Sequence, residues 1–188
     1  MKYWVLTLII LIANPLFAEC KIDAHSFGTS SKKIEKSLGD MWSAFEAIPG
    51  VNREVTTNFE FICPELKDTT LGMNTNFNYH FIKDQLVAIE LIRQTSDDLL
   101  LFEWGRERFG ILEERDIVKA EQVIQVNDGD RIIQLFVGIL PDAVFQNVVL
   151  ISTLHDDLFD LLAETIDDIN WDTLEHPPLE AIILPEDN

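Results

Sequence analysis

The sequence predicts an α+β fold in which an antiparallel sheet is packed by helices. Three observations carry that expectation. Apolar runs with a two-residue period recur along the chain, runs with a helical period stand between them, and Gly-, Pro- and Asp-rich turns separate the two kinds. With 47% hydrophobic residues and 12 Phe among 188 positions, the chain has enough apolar material for the core of one ordinary domain.

The first segment reads as an address rather than as part of the fold. Lys2 supplies a positive start, Trp4 to Ala13 form an apolar run, and Asn14-Pro15 and the small residue Ala18 follow, which is the order of a secretory signal. The run is about half of the roughly 20 residues that cross a bilayer and lacks a cationic stop-transfer flank, so residues 1–18 are expected to be removed and no stable membrane insertion to remain. The mature chain then begins at Glu19-Cys20. Acylation of Cys20 is disfavoured because Glu19 stands where a lipid-attachment site needs a small residue. Cys20 and Cys63 are the two cysteines, and in an exported chain they are expected to form one structural disulfide.

The folded part is read as residues 19–170, with 171–188 as an extended tail marked by Pro177-Pro178 and Pro185. Thr29/Ser30 cap a helix to Leu38, which Gly39 closes. Asp40 caps a second short helix with Met41, Phe45 and Ile48 on one side. Val55, Thr57, Phe59, Phe61 and Cys63 alternate with polar or outward positions as a half-buried strand. Phe77, Tyr79 and Phe81 point inward and Asn76, Asn78 and His80 outward on the next strand, which Lys83-Asp84-Gln85 turns back into Leu86 to Ile92. Thr95-Ser96-Asp97-Asp98 opens a helix to Gly110 with Leu99, Phe102 and Phe109 as its apolar stripe and Gly105 as a weak point. Glu121 to Val126, Ile132 to Leu140 and Val144 to Ser152 read as three more strands. Thr153 and Asp156 cap a last helix whose Leu158, Leu162, Ile166 and Ile169 form the buried stripe. The order admits two tandem helix-plus-hairpin units, 19–94 and 95–170.

Charge is the strongest compositional signal. The chain holds 14 basic and 33 acidic residues, a formal charge of −19, and loss of Lys2 with the signal makes it one unit more negative. Such a balance repels nucleic acid and anionic membrane surfaces. Arg131 is the last basic residue, and the final helix is predicted to crowd Asp156, Asp157, Asp160, Glu164, Asp167 and Asp168 onto its outer face. That face is either a solvated surface or the docking site of a basic protein.

The segment Phe27-Gly28-Thr29-Ser30, continuing through Ile34 to Leu38-Gly39, resembles the helix that opens small envelope domains of the SmpA/OmlA type and the β-lactamase inhibitor protein family. The resemblance implies a helix followed by antiparallel strands, repeated in tandem in the inhibitor family. A scaffolding or assembly role in the cell envelope is what the SmpA/OmlA likeness implies, and the lipid anchor of that group is absent here.

Chemistry-bearing motifs are missing from the sequence. No nucleophile elbow, zinc-protease helix, phosphate loop or dinucleotide fingerprint occurs, and no cofactor, metal site or catalytic residue is assigned. His25, His80, His155 and His176 are scattered without ligand spacing. Asn127-Asp128-Gly129-Asp130 has a calcium-loop flavour, but Gly138 stands where the twelfth-position Glu is needed, and Asp-Gly between two alternating runs is a hairpin turn. Trp42, Trp104 and Trp171 read as core filling, and Arg106, Arg108 and Arg115 as a solvated face balanced by neighbouring Glu residues. The sequence therefore points to a non-catalytic protein-binding or inhibitory module of the periplasm. An envelope assembly component, and a hydrolase with an unrecognised carboxylate site, are the alternatives.

Overall fold

The computed structural model describes residues 20–111 and 121–167. The expected signal segment, Glu113, Glu114, Arg115, Asp168, Ile169 and the tail from Trp171 onward, with His176, lie outside the described residues. In chain order the elements are α1 (Ser31–Leu38), β1 (Ser43–Phe45), β2 (Asn52–Asn58), α2 (Phe59–Ile62), α3 (Thr70–Met73), β3 (Thr75–Ile82) and β4 (Gln85–Thr95). They continue with α4 (Leu100–Arg108), β5 (Glu121–Asp128), β6 (Arg131–Leu140), β7 (Ala143–Ser152) and α5 (Asp156–Asp167). The strands form one seven-stranded antiparallel sheet in the order β1-β2-β3-β4-β7-β6-β5, so the fold is α+β. Pairing of β4 with β7 makes the strands on either side of residue 95 one continuous sheet.

One face of the sheet carries the core. Val55, Phe77, Tyr79, Phe81, Leu91, Leu135, Val148 and Leu150 are buried there beneath Ile34 and Leu38 of α1 and Leu101 and Phe102 of α4. A shift of register between His80 and Phe81 explains how Leu86 and Ile89, three residues apart, both reach this face. A regular strand would turn one of them outward.

Turns are set by backbone chemistry. Lys83 and Asp84 both adopt positive φ (49° and 61°) between the paired residues Ile82 and Gln85, the geometry of a twist-compatible two-residue hairpin. Gly129 does the same at φ 66° between Asp128 and Arg131, so the Asn127–Asp130 segment is the expected hairpin turn.

Several expectations are corrected. The segment after Asp40 forms edge strand β1, not a helix: Ser43, Ala44 and Phe45 pair with Thr56, Val55 and Glu54. Confined between Gly39 and Pro49-Gly50, it is too short to sustain a helix alone, and pairing with β2 satisfies its backbone. The strand expected from Val55 to Cys63 stops at Asn58, and α2 follows. There Phe59 and Ile62 are buried while Phe61 is exposed, the reverse of the alternation at positions 61 and 62. Asn78, expected outside, is buried at 4% exposure. Gly105 is a packing requirement rather than a weak point, since a Cβ there would lie 2.9 Å from Leu135 and 3.0 Å from Val148. The last helix starts at Asp156, as expected, but its apolar stripe is shallow. Leu158 is buried, Phe159 and Leu162 are partly buried against Ile82 and Val87, and Ile166 is exposed.

Candidate functional site

The two cysteines are joined as a disulfide, with Cα atoms 4.0 Å apart. Both are buried, and the Lys21 amide donates to the Ile62 carbonyl beside them, so the start of the described chain is fastened to α2. Glu65 lies close to the two sulfurs, but bonded sulfurs offer no thiolate to a metal.

The acidic residues predicted on the last helix emerge where expected as far as the helix is described. Asp156, Asp157, Asp160, Glu164 and Asp167 are all exposed on α5. This helix lies against the second face of the sheet, away from the main core, and contacts it through Leu158, Phe159 and Leu162. It covers only the end of that face near the β3–β4 turn.

No described element covers the rest of the second face, which has an unusual composition. Register places Glu54 and Thr56 of β2, Asn78 and His80 of β3, Glu90 and Ile92 of β4, Asn147, Val149 and Ile151 of β7 and Phe136 of β6 side by side on it. No Lys or Arg is among the strand residues of this face or on α5 within the described residues. Ile92, Phe136, Val149 and Ile151 are only half-buried there.

At its centre is a hydrogen-bonded polar cluster. His80 Nε2 is 2.8 Å from Glu90 Oε2, and the Asn147 and Asn78 amides also donate to the Glu90 carboxylate, the Asn78 contact being long at 3.5 Å. Burial pushes the Glu90 carboxyl up, but the hydrogen bond and electrostatic attraction of His80, with the Asn147 and Asn78 bonds, outweigh it and hold the group below its ordinary range. On the other side of the ring, His80 Nδ1 is 3.7 Å from Glu54 Oε2, beyond direct hydrogen-bond length. The amide oxygens of Asn78 and Asn147 are buried without a partner.

Glu54 and His80 also line a cavity of about 270 Å³ between α5 and the sheet. Its other walls are mainly apolar, with Phe45, Ile82, Val87, Phe159 and Leu162, and Asn52 and Arg53 also line it. A larger cavity of about 470 Å³ lies between α1 and the β3–β4 turn, lined by Lys32, Glu35, Glu46, Arg53 and Asp84 among others. Its charges are largely engaged with one another. Arg53 contacts Glu35 at 2.8 Å and Glu46 at 2.6 Å, and Asp84 accepts from both the amide and the hydroxyl of Ser31. The smaller cavity, which His80 and Glu54 join to the polar cluster, is the better candidate site.

The remaining residues singled out by sequence keep separate, structural places. His25 contacts Ser37 and the edge of Tyr79, and His155 contacts Ser152, so no two described histidines converge. Trp104 packs edge-on against Phe59 and Phe109, and Trp42 donates its indole N–H to the Gly39 carbonyl. Arg106 donates to the Ile111 carbonyl at the end of α4. Sequence reasoning missed the polar cluster. Its signal was present as a lone Glu in the apolar run Leu86 to Ile92 and a lone Asn in Val144 to Ser152, but only the β4–β7 register brings them together. Compared with known proteins, the chain matches no family model, no curated protein and no solved structure.

Proposed function

We propose that this protein is an exported, non-catalytic binding module that docks a basic protein partner on the open face of its sheet beside α5. The observation that supports this reading is the composition of that surface. It joins half-buried apolar side chains to Glu54, Glu90 and the five exposed α5 carboxylates, and among the described residues its one cation is Arg53 at the cavity, paired with Glu35 and Glu46. Apolar side chains give a partner area to bury, and a one-signed rim speeds encounter and selects a cationic surface. The secretory signal and the disulfide fit a periplasmic setting, and inhibition of the partner is the natural consequence of docking without chemistry.

The test is retention from envelope extract by the immobilised protein. One stoichiometric basic protein, released by raised salt, is expected. Changing Glu164, Asp167 and Asp168 to their amides is expected to slow its association while leaving the fold intact. Retention that ignores both salt and the triple substitution would refute the reading, and co-purification with a membrane complex would favour the envelope-assembly role.

A further inference from the structure

We infer that β5, the outer strand at one end of the sheet, accepts an extended segment of the basic partner as one more strand, held by main-chain hydrogen bonds to Val123, Gln125 and Asn127. This rests on the docking reading above for the source of the segment and specifies how it is held.

Register decides which backbone groups β5 offers. Asp128 and Arg131 flank the two-residue turn at Gly129 and so form a hydrogen-bonded pair, and the alternation of an antiparallel ladder gives the same status to Val126–Ile133, Ile124–Leu135 and Gln122–Val137. At the positions between them, Val123, Gln125 and Asn127 turn their N–H and C=O groups away from β6. The β6–β7 hairpin gives the same phase independently. Leu140 and Ala143 close its two-residue turn, so Phe136, Gln134 and Ile132, which stand opposite Val123, Gln125 and Asn127, direct their main-chain bonds to β7. Among the described residues, none pairs with the outward groups of Val123, Gln125 and Asn127.

The two ends of the sheet differ in how well they are guarded. At the far end β1 is limited to Ser43–Phe45, a length that offers little to a new strand. Strand β5 runs for eight residues in unbroken register and contains neither Pro nor Lys, the residues that most often blunt an edge. Its stretch Gln122–Asn127 is uncharged and rich in β-branched residues, a composition that favours strand pairing. Val123 is 49% exposed on the open face, and the paired Phe136 with Phe145 beyond it, ring centroids 6.0 Å apart, continue an apolar strip inward from the edge.

Charge decides between the two occupants such an edge admits. Pairing with β5 of a second copy brings together two chains of charge −19, and self-repulsion of that size opposes association. A segment carrying Lys or Arg is drawn by the same field. Acidic residues flank the uncharged centre in sequence, Glu121 before it and Asp128 and Asp130 after it, and the cation at that end, Arg131, is engaged by Asp128 and Asp23. The matching segment therefore has β-branched or apolar residues at its centre and basic residues at its ends.

The experiment follows hydrogen exchange of the β5 amides by NMR in the full chain. In the free protein the amides of Val123, Gln125 and Asn127 are expected to exchange about tenfold faster than those of Ile124 and Val126, which bond to β6. The probe is a capped peptide with valine and threonine at its centre and two lysines at each end. It is compared with the same peptide N-methylated throughout, which keeps the charges but has no amide donor, and with its glutamate counterpart. The lysine peptide is expected to slow exchange at the three outward amides about tenfold, and both counterparts to bind about tenfold more weakly. Gln125→Pro removes one outward donor at an edge position that tolerates proline, and is expected to keep the fold while weakening the peptide by a similar factor. Outward amides already slow in the dilute free protein, or equal binding of the N-methylated peptide, overturn the inference. Protection that rises with protein concentration in the absence of peptide overturns it too, by assigning the edge to a second copy. A basic protein retained from envelope extract equally by Gln125→Pro and the parent removes strand addition and leaves the docking reading standing. Protection by the peptide with no basic protein retained keeps strand addition and removes the docking reading.

Discussion

Arg93 is fully buried on β4, where its guanidinium grips Asp98 through Nε at 3.1 Å and Nη2 at 2.7 Å and donates to the Thr70 carbonyl at 2.8 Å. Removing one partner of such a pair strands the other, so Arg93→Met is expected to cost about 3–5 kcal/mol in urea unfolding. Adding Asp98→Asn to it is expected to recover part of the loss. The Arg93 bond holds the Asp98 carboxyl below its usual 3.8. A depressed carboxyl contributes stability that is present above the unfolded value and disappears as pH falls through the lower folded one. Asp98→Asn is therefore expected to flatten the acid limb of the stability–pH curve below about pH 4, and an unchanged limb would show that the pair is not the source. On β3, Phe81→Ala is expected to cost about 3–5 kcal/mol from loss of core volume. Asn78→Ala is expected to cost about 1–3 kcal/mol rather than nothing, because this buried amide donates to Glu90.

At the scale of elements, both principal core helices are capped from distant parts of the sheet and its turns. Helix α1 begins with a Ser31 amide and hydroxyl that donate to Asp84 Oδ1 at 2.9 Å and 2.6 Å, across from the β3–β4 turn. Helix α4 begins with the amides of Leu101 and Phe102 donating to Gln146 Oε1 of β7, at 3.0 Å and 3.1 Å. The helix N-terminus leaves several N–H groups unsatisfied, and burial makes each costly unless an acceptor is supplied. Asp84→Ala is expected to destabilise by about 1 kcal/mol and to speed amide exchange selectively in the first turn of α1. Gln146→Leu, which buries the two α4 amides without an acceptor, is expected to cost more, about 2–4 kcal/mol. Equal and small effects at the two sites would mean that the caps are ornamental. The Ser31 bonds also hold the Asp84 carboxyl below its ordinary range, so the α1 cap survives mild acid.

For the whole molecule, two long-range features act in opposite directions. The disulfide closes a separation of 43 residues and, by loop entropy, stabilises by about 4 kcal/mol. Reduction, or Cys20→Ser with Cys63→Ser, is expected to lower the denaturation midpoint accordingly, while the intact mass of the oxidised protein is two hydrogens below that of the reduced one. Against it stands the charge of −19, whose self-repulsion opposes compaction. Raising salt to about 0.3 M is expected to increase stability by screening. The amide substitutions at Glu164 and Asp167 are expected to do so locally, since Asp167 lies in the last described turn of α5, toward the end where the helix dipole disfavours negative charge. Melting curves of the parent and the variant in low and high salt separate these contributions.

The sequence by itself determined the elements whose patterns are long and locally consistent. The α+β class, the three strands after residue 120, the hairpin at Asp128-Gly129, helix α1 with its Gly39 stop and the acidic face of α5 were all legible, because side-chain periodicity and turn chemistry act within a few residues. Short segments were decided by tertiary contacts. Residues 43–45 became an edge strand because β2 was there to pair with, and Phe59–Ile62 became a helical turn that seats Cys63 beside Cys20. The candidate site was illegible for the same reason. Glu54, His80, Glu90 and Asn147 come from four strands, and their meeting depends on register and on the β4–β7 pairing, which join residues up to 93 positions apart. Local sequence fixes which face of its own strand each residue occupies, but only the assembled sheet decides which strand lies beside it, because strand pairing uses backbone hydrogen bonds common to every residue.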